Sequence, residues 1–177
     1  MNIYGKGMKN MANPENDPIQ FFAPGLPKTQ GSKHAMQHAT TGNIIMLEKK
    51  SLKPWRAVVA LAAQLEMDGR SPLRGAVEID VSFCFPRPKS HFRSGKFSRC
   101  LKDNAEMYPT ARNIGDLDKL LRAILDAMTG VVFLDDSQVV RFACAEKRWA
   151  ATPGAQIAVR PLEEAAEHAA EKEDGNG

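Results

Sequence analysis

The run Asp116-Leu117-Asp118-Lys119-Leu120-Leu121-Arg122 holds two carboxylates and two basic groups, and a second acidic pair, Asp135-Asp136, follows a helix length later. Clustered carboxylates repel one another unless a cation offsets them, and hard oxygen ligands suit magnesium or manganese. The chemistry open to such a set is metal-assisted attack on a phosphate, with lysine or arginine neutralising the developing charge.

An element must hold these residues in place. Leu117, Leu120, Leu121, Ile124, Leu125 and Met128 recur at three- and four-residue intervals, so the spacing predicts a helix from about 117 to 128 with one apolar stripe on a core. Asp118, Arg122 and Asp126 fall on another face, while Asp116 belongs before or within the first turn, where it is a candidate N-cap. From there its carboxylate is expected to converge with that of Asp118. Thr129-Gly130 ends the helix, and Val131 to Leu134 lead to the acids ahead of a strand from Ser137 to Ala150. A compact helix, turn and strand is expected to bring Asp135-Asp136 back toward the helix start. Each residue also has a plain structural reading: Asp116 as a cap, Asp118 with Arg122 as a surface ion pair, Asp135-Asp136 as a polar turn. Their grouping is what favours a site.

Upstream, Pro86 to Arg112 carries Arg87, Lys89, Arg93, Lys96, Arg99, Lys102 and Arg112 against only Asp103 and Glu106. With Pro86, Pro88, Gly95 and Pro109 and no periodicity, the segment reads as a long flexible loop. Phe92, Phe97 and Tyr108 are interleaved with its cations, a composition suited to a phosphate backbone with an occasional stacked base. A polyanion-binding loop beside a metal site points to phosphodiester chemistry.

These residues resemble the RusA-like endodeoxyribonucleases, which act as Holliday junction resolvases. The family pattern of approximately Asp-x-Asp-Asn-Leu-x-Lys, Asp-Ala-Leu-Thr and Asp-Asp-x-Gln-Val is matched by Asp116 to Arg122, Asp126-Ala127-Met128-Thr129 and Asp135-Asp136-Ser137-Gln138-Val139. A weaker likeness runs from about Ile19 to Val159 and takes in Gly25-Leu26-Pro27-Lys28, Gly31-Ser32-Lys33 and Lys53-Pro54-Trp55-Arg56. The resemblance implies that Asp116, Asp118 and Asp136 are catalytic metal ligands with Asp135 beside them. It also implies a Mg²⁺ cofactor, which Mn²⁺ can replace, a homodimer, and paired symmetric nicks in a four-way DNA junction during recombination and repair. Two positions depart from the pattern: Lys119 stands where the family has Asn, and Arg122 where it has its active-site lysine. Arginine keeps the positive charge but is a poor proton donor. If the family lysine acts electrostatically, Arg122 can replace it; if it donates a proton, Lys119 or a water must do so here.

Composition sets wider bounds. A chain of 177 residues, 43% hydrophobic and 25% charged, is ordinary for one globular domain. Its net charge of +3 understates a basic body, because from Glu163 onward six acids face only Lys172. Lys28 and Lys33 join the loop cations as candidate DNA contacts. Cys84, Cys100 and Cys144 lack metal-ligand or disulfide-framework spacing. No segment has the ~20 apolar residues of a membrane span, and a cytoplasmic setting in a bacterial or phage-infected cell is expected. A non-catalytic DNA-binding protein would share the charge but leave Asp116, Asp118 and Asp136 unexplained. A general branched-DNA or flap endonuclease is the closest competing function, since backbone-reading loops select shape. Phosphatase and glycosyltransferase readings fail for want of a strand before Asp116 and of a glycine-rich nucleotide loop.

The remaining elements follow from pattern. Ile19 to Ala23 is a first strand, Gly42-Asn43 a turn before Ile44 to Leu47, and Pro54 opens a helix ending at Asp68-Gly69. Val77, Ile79, Val81, Phe83 and Phe85 alternate with polar neighbours as a half-buried strand, and 156–159 supply the last one. The expectation is a single α+β domain over 19–161, a mixed β-sheet with two main α-helices. Residues 1–18 are expected to be disordered, and 162–177 to form an acidic tail, helical or disordered. Trp55 and Trp149 are expected as core anchors, and His34, His38 and His91 have no ligand-like spacing.

Overall fold

The computed structural model describes residues 17–31, 34–37, 44–47 and 51–162, with the backbone alone for 34–37 and 44–47. Residues 1–16 and 163–177, covering most of both expected terminal segments, lie outside the described residues, as do Lys33 and His38.

Six strands and two helices form in the order β1 (Ile19–Pro24), β2 (His34–Gln37), β3 (Ile44–Leu47), α1 (Leu52–Met67), β4 (Val77–Phe85), α2 (Leu117–Met128), β5 (Val139–Trp149) and β6 (Gly154–Pro161). The main sheet runs β1-β6-β4-β5, while β2 and β3 pair separately as an antiparallel hairpin. β6 is antiparallel to both β1 and β4, whereas β4 and β5 are parallel, so the sheet is mixed as expected.

Alternation decides the buried face. Ile19, Phe21 and Ala23 on β1 are buried between exposed neighbours and Val77, Ile79 and Val81 on β4 between half-buried ones, while Phe83 on β4 and Ala155, Ile157 and Val159 on β6 are buried as well. Helix α1 covers this face with Leu52, Trp55, Val59, Ala63 and Met67, and α2 with Leu120, Ala123, Ile124, Ala127 and Met128, all within one core. Trp55 is 4% exposed, the core anchor expected of it. Helix α1 begins two residues before Pro54, which costs little because a proline in the first turn lacks only an N–H that has no partner there. It ends where Asp68 turns left-handed at φ 44°.

The parallel pair sets up the functional geometry. The chain leaves β4 at Phe85, traverses residues 86–115, returns along α2 and re-enters the sheet through β5, whose first residue pairs with Val77 and whose last pairs with Phe85. Helix α2 therefore runs antiparallel to both strands, with its first turn near their C-terminal ends. Lys147 near the end of β5 confirms this, donating to the carbonyl of Gly115 at 3.0 Å.

Candidate nucleic-acid interface and acidic sites

Asp116 occupies the N-cap position of α2 with extended backbone (φ −82°, ψ 144°), yet its side chain caps nothing. The carboxylate instead accepts a hydrogen bond from Lys119 Nζ at 2.6 Å. That bond, followed by the lysine's charge, holds the Asp116 carboxyl below its ordinary value, and it raises Lys119 in turn. Asp118 is exposed in the first turn and Arg122 is exposed one turn further on. No ion pair joins these two among the described residues. Asp116 thus does not cap and Asp118 does not pair with Arg122, so among the described residues the helix start presents the Asp116–Lys119 pair beside an open carboxylate, Asp118, and an open cation, Arg122.

Backbone approach fixes this corner. Gly115 has φ 91°, and a Cβ there would strike Thr29 Cγ2. One residue on, the Gln30 amide donates to the Lys119 carbonyl at 2.9 Å. Asp126, on the family motif, secures the same segment by accepting from Gln30 Nε2 at 2.7 Å while standing 3.4 Å from Arg56 Nη2 of α1.

Asp135 and Asp136 do not return to the helix start within one chain. They sit in a 3-10 turn between the C-terminus of α2 and the entry to β5, so the length of α2, about 18 Å, separates them from Asp116. The reason is the parallel β4-β5 pairing, which sends the chain the full length of the sheet before β5 begins. Asp135 is also a cap: it accepts from the Ser137 amide at 2.9 Å, while Gln138 Oε1 accepts from the amides of Leu134 and Asp135 at 2.8 and 3.0 Å. These Ser137 contacts hold the Asp135 carboxyl below its ordinary value. Gln138 Nε2 completes the anchorage by donating to the carbonyls of Leu73 and Gly75. Asp136 is exposed. Among the described residues no group of three or more His, Cys, Asp or Glu gathers to hold a metal ion.

The basic segment is a loop, as expected, and it carries more internal structure than its composition announced. Short 3-10 turns form at Lys89–His91 and Gly95–Phe97, and Phe92 bridges Leu101. Backbone bonds run from Arg93 N to Cys100 O and from Lys102 N to His91 O, both 2.9 Å. Its cations divide into two kinds. Arg87 donates to the Glu106 carbonyl at 2.8 Å and lies 5.4 Å from the Trp149 ring centre, while Arg93 pairs with Asp103 at 2.7 Å; both cross-link the loop. Lys89, Arg99, Lys102 and Arg112 are exposed and form no side-chain bond among the described residues, and Lys96 lies over Phe97. Phe97 and Tyr108 are exposed, and Lys28 is half-buried at the same end of the sheet.

The family profile described as endodeoxyribonuclease RusA matches residues 24–160. The chain belongs to the RusA endodeoxyribonuclease family. A curated relative, the uncharacterized protein YqaN of Bacillus subtilis (strain 168), is 29% identical over 149 residues, covering 82% of this chain and 98% of the relative. In this RusA-family chain, Asp116, Asp118, Lys119 and Arg122 cluster at one end of α2 beside the basic loop, and Asp135 and Asp136 stand at the other. No helix among the described residues is long and apolar enough to cross a membrane.

Sequence reasoning missed a cleft at the first of these ends, lined in part by His91, Asn113 and Trp149. No local pattern announces it, because its walls come from segments scattered between residues 26 and 149 that only the tertiary fold assembles.

Proposed function

We propose that this chain is a magnesium-dependent endodeoxyribonuclease that resolves four-way DNA junctions as a homodimer by paired symmetric nicks. The observation that carries this reading is the uncapped Asp116 beside Asp118 at the start of α2, next to a loop whose Lys89, Arg99, Lys102 and Arg112 are free to meet phosphates.

Magnesium commonly takes one or two protein carboxylates and completes its shell with water and substrate phosphate, so Asp116 and Asp118 suit it without a closed cage. When bound, the ion supplies Lewis-acid activation of water and of the scissile phosphate. The protein's own groups do the rest. The loop cations fix the DNA backbone, and Arg122 holds the reacting phosphate in its planar fork. Lys119, kept charged by Asp116, offsets charge in the transition state. Pairing with Asp116 disfavours proton release from Lys119, and arginine is in general a poor proton donor, so both are assigned electrostatic roles. The expected products carry 5′ phosphate and 3′ hydroxyl ends.

Asp136 can join this site only from a second chain, since α2 separates it from Asp116 in its own. That requirement favours the homodimer. Apolar surface beside the remote acids adds support: Leu134 is 48% exposed, Val140 61% and Phe142 39%, the last two on the edge strand β5.

The test is cleavage of a labelled synthetic four-way junction, with linear duplex and flap controls, with and without Mg²⁺. Symmetric magnesium-dependent nicks confined to the junction are expected. Equal cutting of flaps would make the protein a general branch nuclease, and binding without cutting would make it a non-catalytic DNA-binding protein.

A further inference from the structure

We infer that the cleft beside the start of α2 receives a single nucleobase drawn out of the DNA stack next to the bond that is cut. This rests on the nuclease reading above and adds what the site holds besides phosphate. The cleft has a volume of about 560 Å³ and is bounded by Pro27, Lys28, Pro88, Ser90, Asn113 and Trp149. That size falls in the range of roughly 300–1,000 Å³ found for small-molecule sites.

Its chemistry selects a flat heteroaromatic. Three prolines and an indole give apolar walls, while Ser90 and Asn113 bring a hydroxyl and an amide that form no hydrogen bond among the described residues. An amide offers a donor and an acceptor side by side, the pattern a base edge presents. Lys28 is the one lysine or arginine among the lining residues, which also include His91 and Glu106, so the cleft is not a cluster of cations of the kind that grips phosphate.

The aromatic wall is already fixed. Trp149 donates its indole N–H to the Glu106 carbonyl at 3.1 Å, Arg87 lies 5.4 Å from its ring centre, and His91 meets it edge-on at 5.4 Å. A ring held this way loses little freedom when a ligand arrives.

Position ties the cleft to the carboxylates. Asn113 and Ile114 line it and lead directly into Gly115 and Asp116, and Thr29, another lining residue, packs against Gly115. One stretch of backbone therefore carries both the cleft wall and the reacting end. Drawing out a base costs less where its pairing and stacking are already weakened, and the helix is interrupted at a branch point, so such a cleft would favour branched DNA over duplex and impose a base preference at the cut.

The experiment uses the full-length protein and four-way junctions carrying two adjacent 2-aminopurines at successive positions around the branch point, with EDTA present so that DNA is bound but not cut. Near-ultraviolet circular dichroism of the pair reads the stacking of its two bases, and fluorescence anisotropy reads binding. At one position flanking the cut bond the band is expected to fall by about half or more at saturation. Ser90→Phe, which fills the cleft, should keep the band while binding the junction. No loss at any position in the wild-type protein, or the same loss in Ser90→Phe, overturns the inference. Asn113→Ala is the second variant should the bulky one misfold: a weaker loss at the same position is expected, and an unchanged one rejects recognition by the amide. Cleavage in Mg²⁺ is scored separately. Band loss without cutting would reject the nuclease reading and keep the base cleft, whereas cutting without band loss would do the reverse.

Discussion

At the scale of single residues, Asp118 and Asp116 are separable by experiment. Asp118→Asn removes a candidate metal-ligating charge together with some repulsion of the DNA backbone. Junction cleavage should fall by on the order of 10²-fold or more, with binding kept or tightened. A near wild-type single-turnover rate would remove Asp118 from the site. Asp116 is tested through its pairing with Lys119. Because the folded carboxyl lies below its ordinary 3.8, the pairing is fully present above that value and is lost as pH falls through the lowered one. Lys119 lies above its ordinary 10.5, so on the alkaline side the pairing persists to that value and is lost as pH rises through the raised one. Carbon-detected NMR titration should place the Asp116 midpoint below 3.8, and Lys119→Ala should move it back up toward that value. An unmoved midpoint would mean that Lys119 is not its controlling partner.

At the scale of elements, α2 and β4 were legible because each repeats its pattern long enough to be unambiguous. Leu117 to Met128 hold a 3.6-residue stripe, and Val77 to Phe85 alternate with period two. The pairing of β4 with β5 was not legible: which strands neighbour each other, and in what direction, depends on contacts far apart in sequence. That pairing is also what carries Asp135-Asp136 away from Asp116. Likewise the loop's charges were plain in the sequence, but nothing local showed that Arg87 and Arg93 would be consumed as cross-links while Arg99 and Lys102 stayed open. The division predicts distinct phenotypes. Arg99→Ala and Lys102→Ala should each lower the slope of log affinity against log salt by about one and weaken binding to all DNA sequences alike, with unfolding unchanged. Arg93→Ala should instead loosen the loop, read as faster amide exchange at Lys102 and Cys100. The turn at 135–138 is likewise structural in part, since Gln138 ties it to Leu73 and Gly75 through a half-buried amide. Gln138→Ala should destabilise the fold by about 1–3 kcal/mol in urea unfolding, through backbone groups left without their partner.

At the scale of the whole molecule, the separated acids decide how many chains make one active site. If Asp116 and Asp118 of one copy work with Asp136 of another, a dimer contains two composite sites, each drawing on both chains. Asp116→Asn and Asp136→Asn should then be inactive alone, because each disables both sites of its own homodimer. Mixed and allowed to exchange, they form heterodimers in which one site carries both substitutions and the other carries neither. The intact site should nick one strand of a labelled junction, while paired cleavage stays absent because the second site is dead. If each chain instead completed its own site, every site in the heterodimer would carry one substitution, and mixing would restore nothing. Nicking recovered only after subunit exchange, and in proportion to heterodimer measured by native mass spectrometry, is the expected outcome. Failure to recover any nicking in a verified heterodimer would mean that each site draws Asp116 and Asp136 from the same chain, whereas an Asp136→Asn homodimer that cuts alone would confine the chemistry to Asp116 and Asp118 and leave Asp136 as a residue of the turn that starts β5.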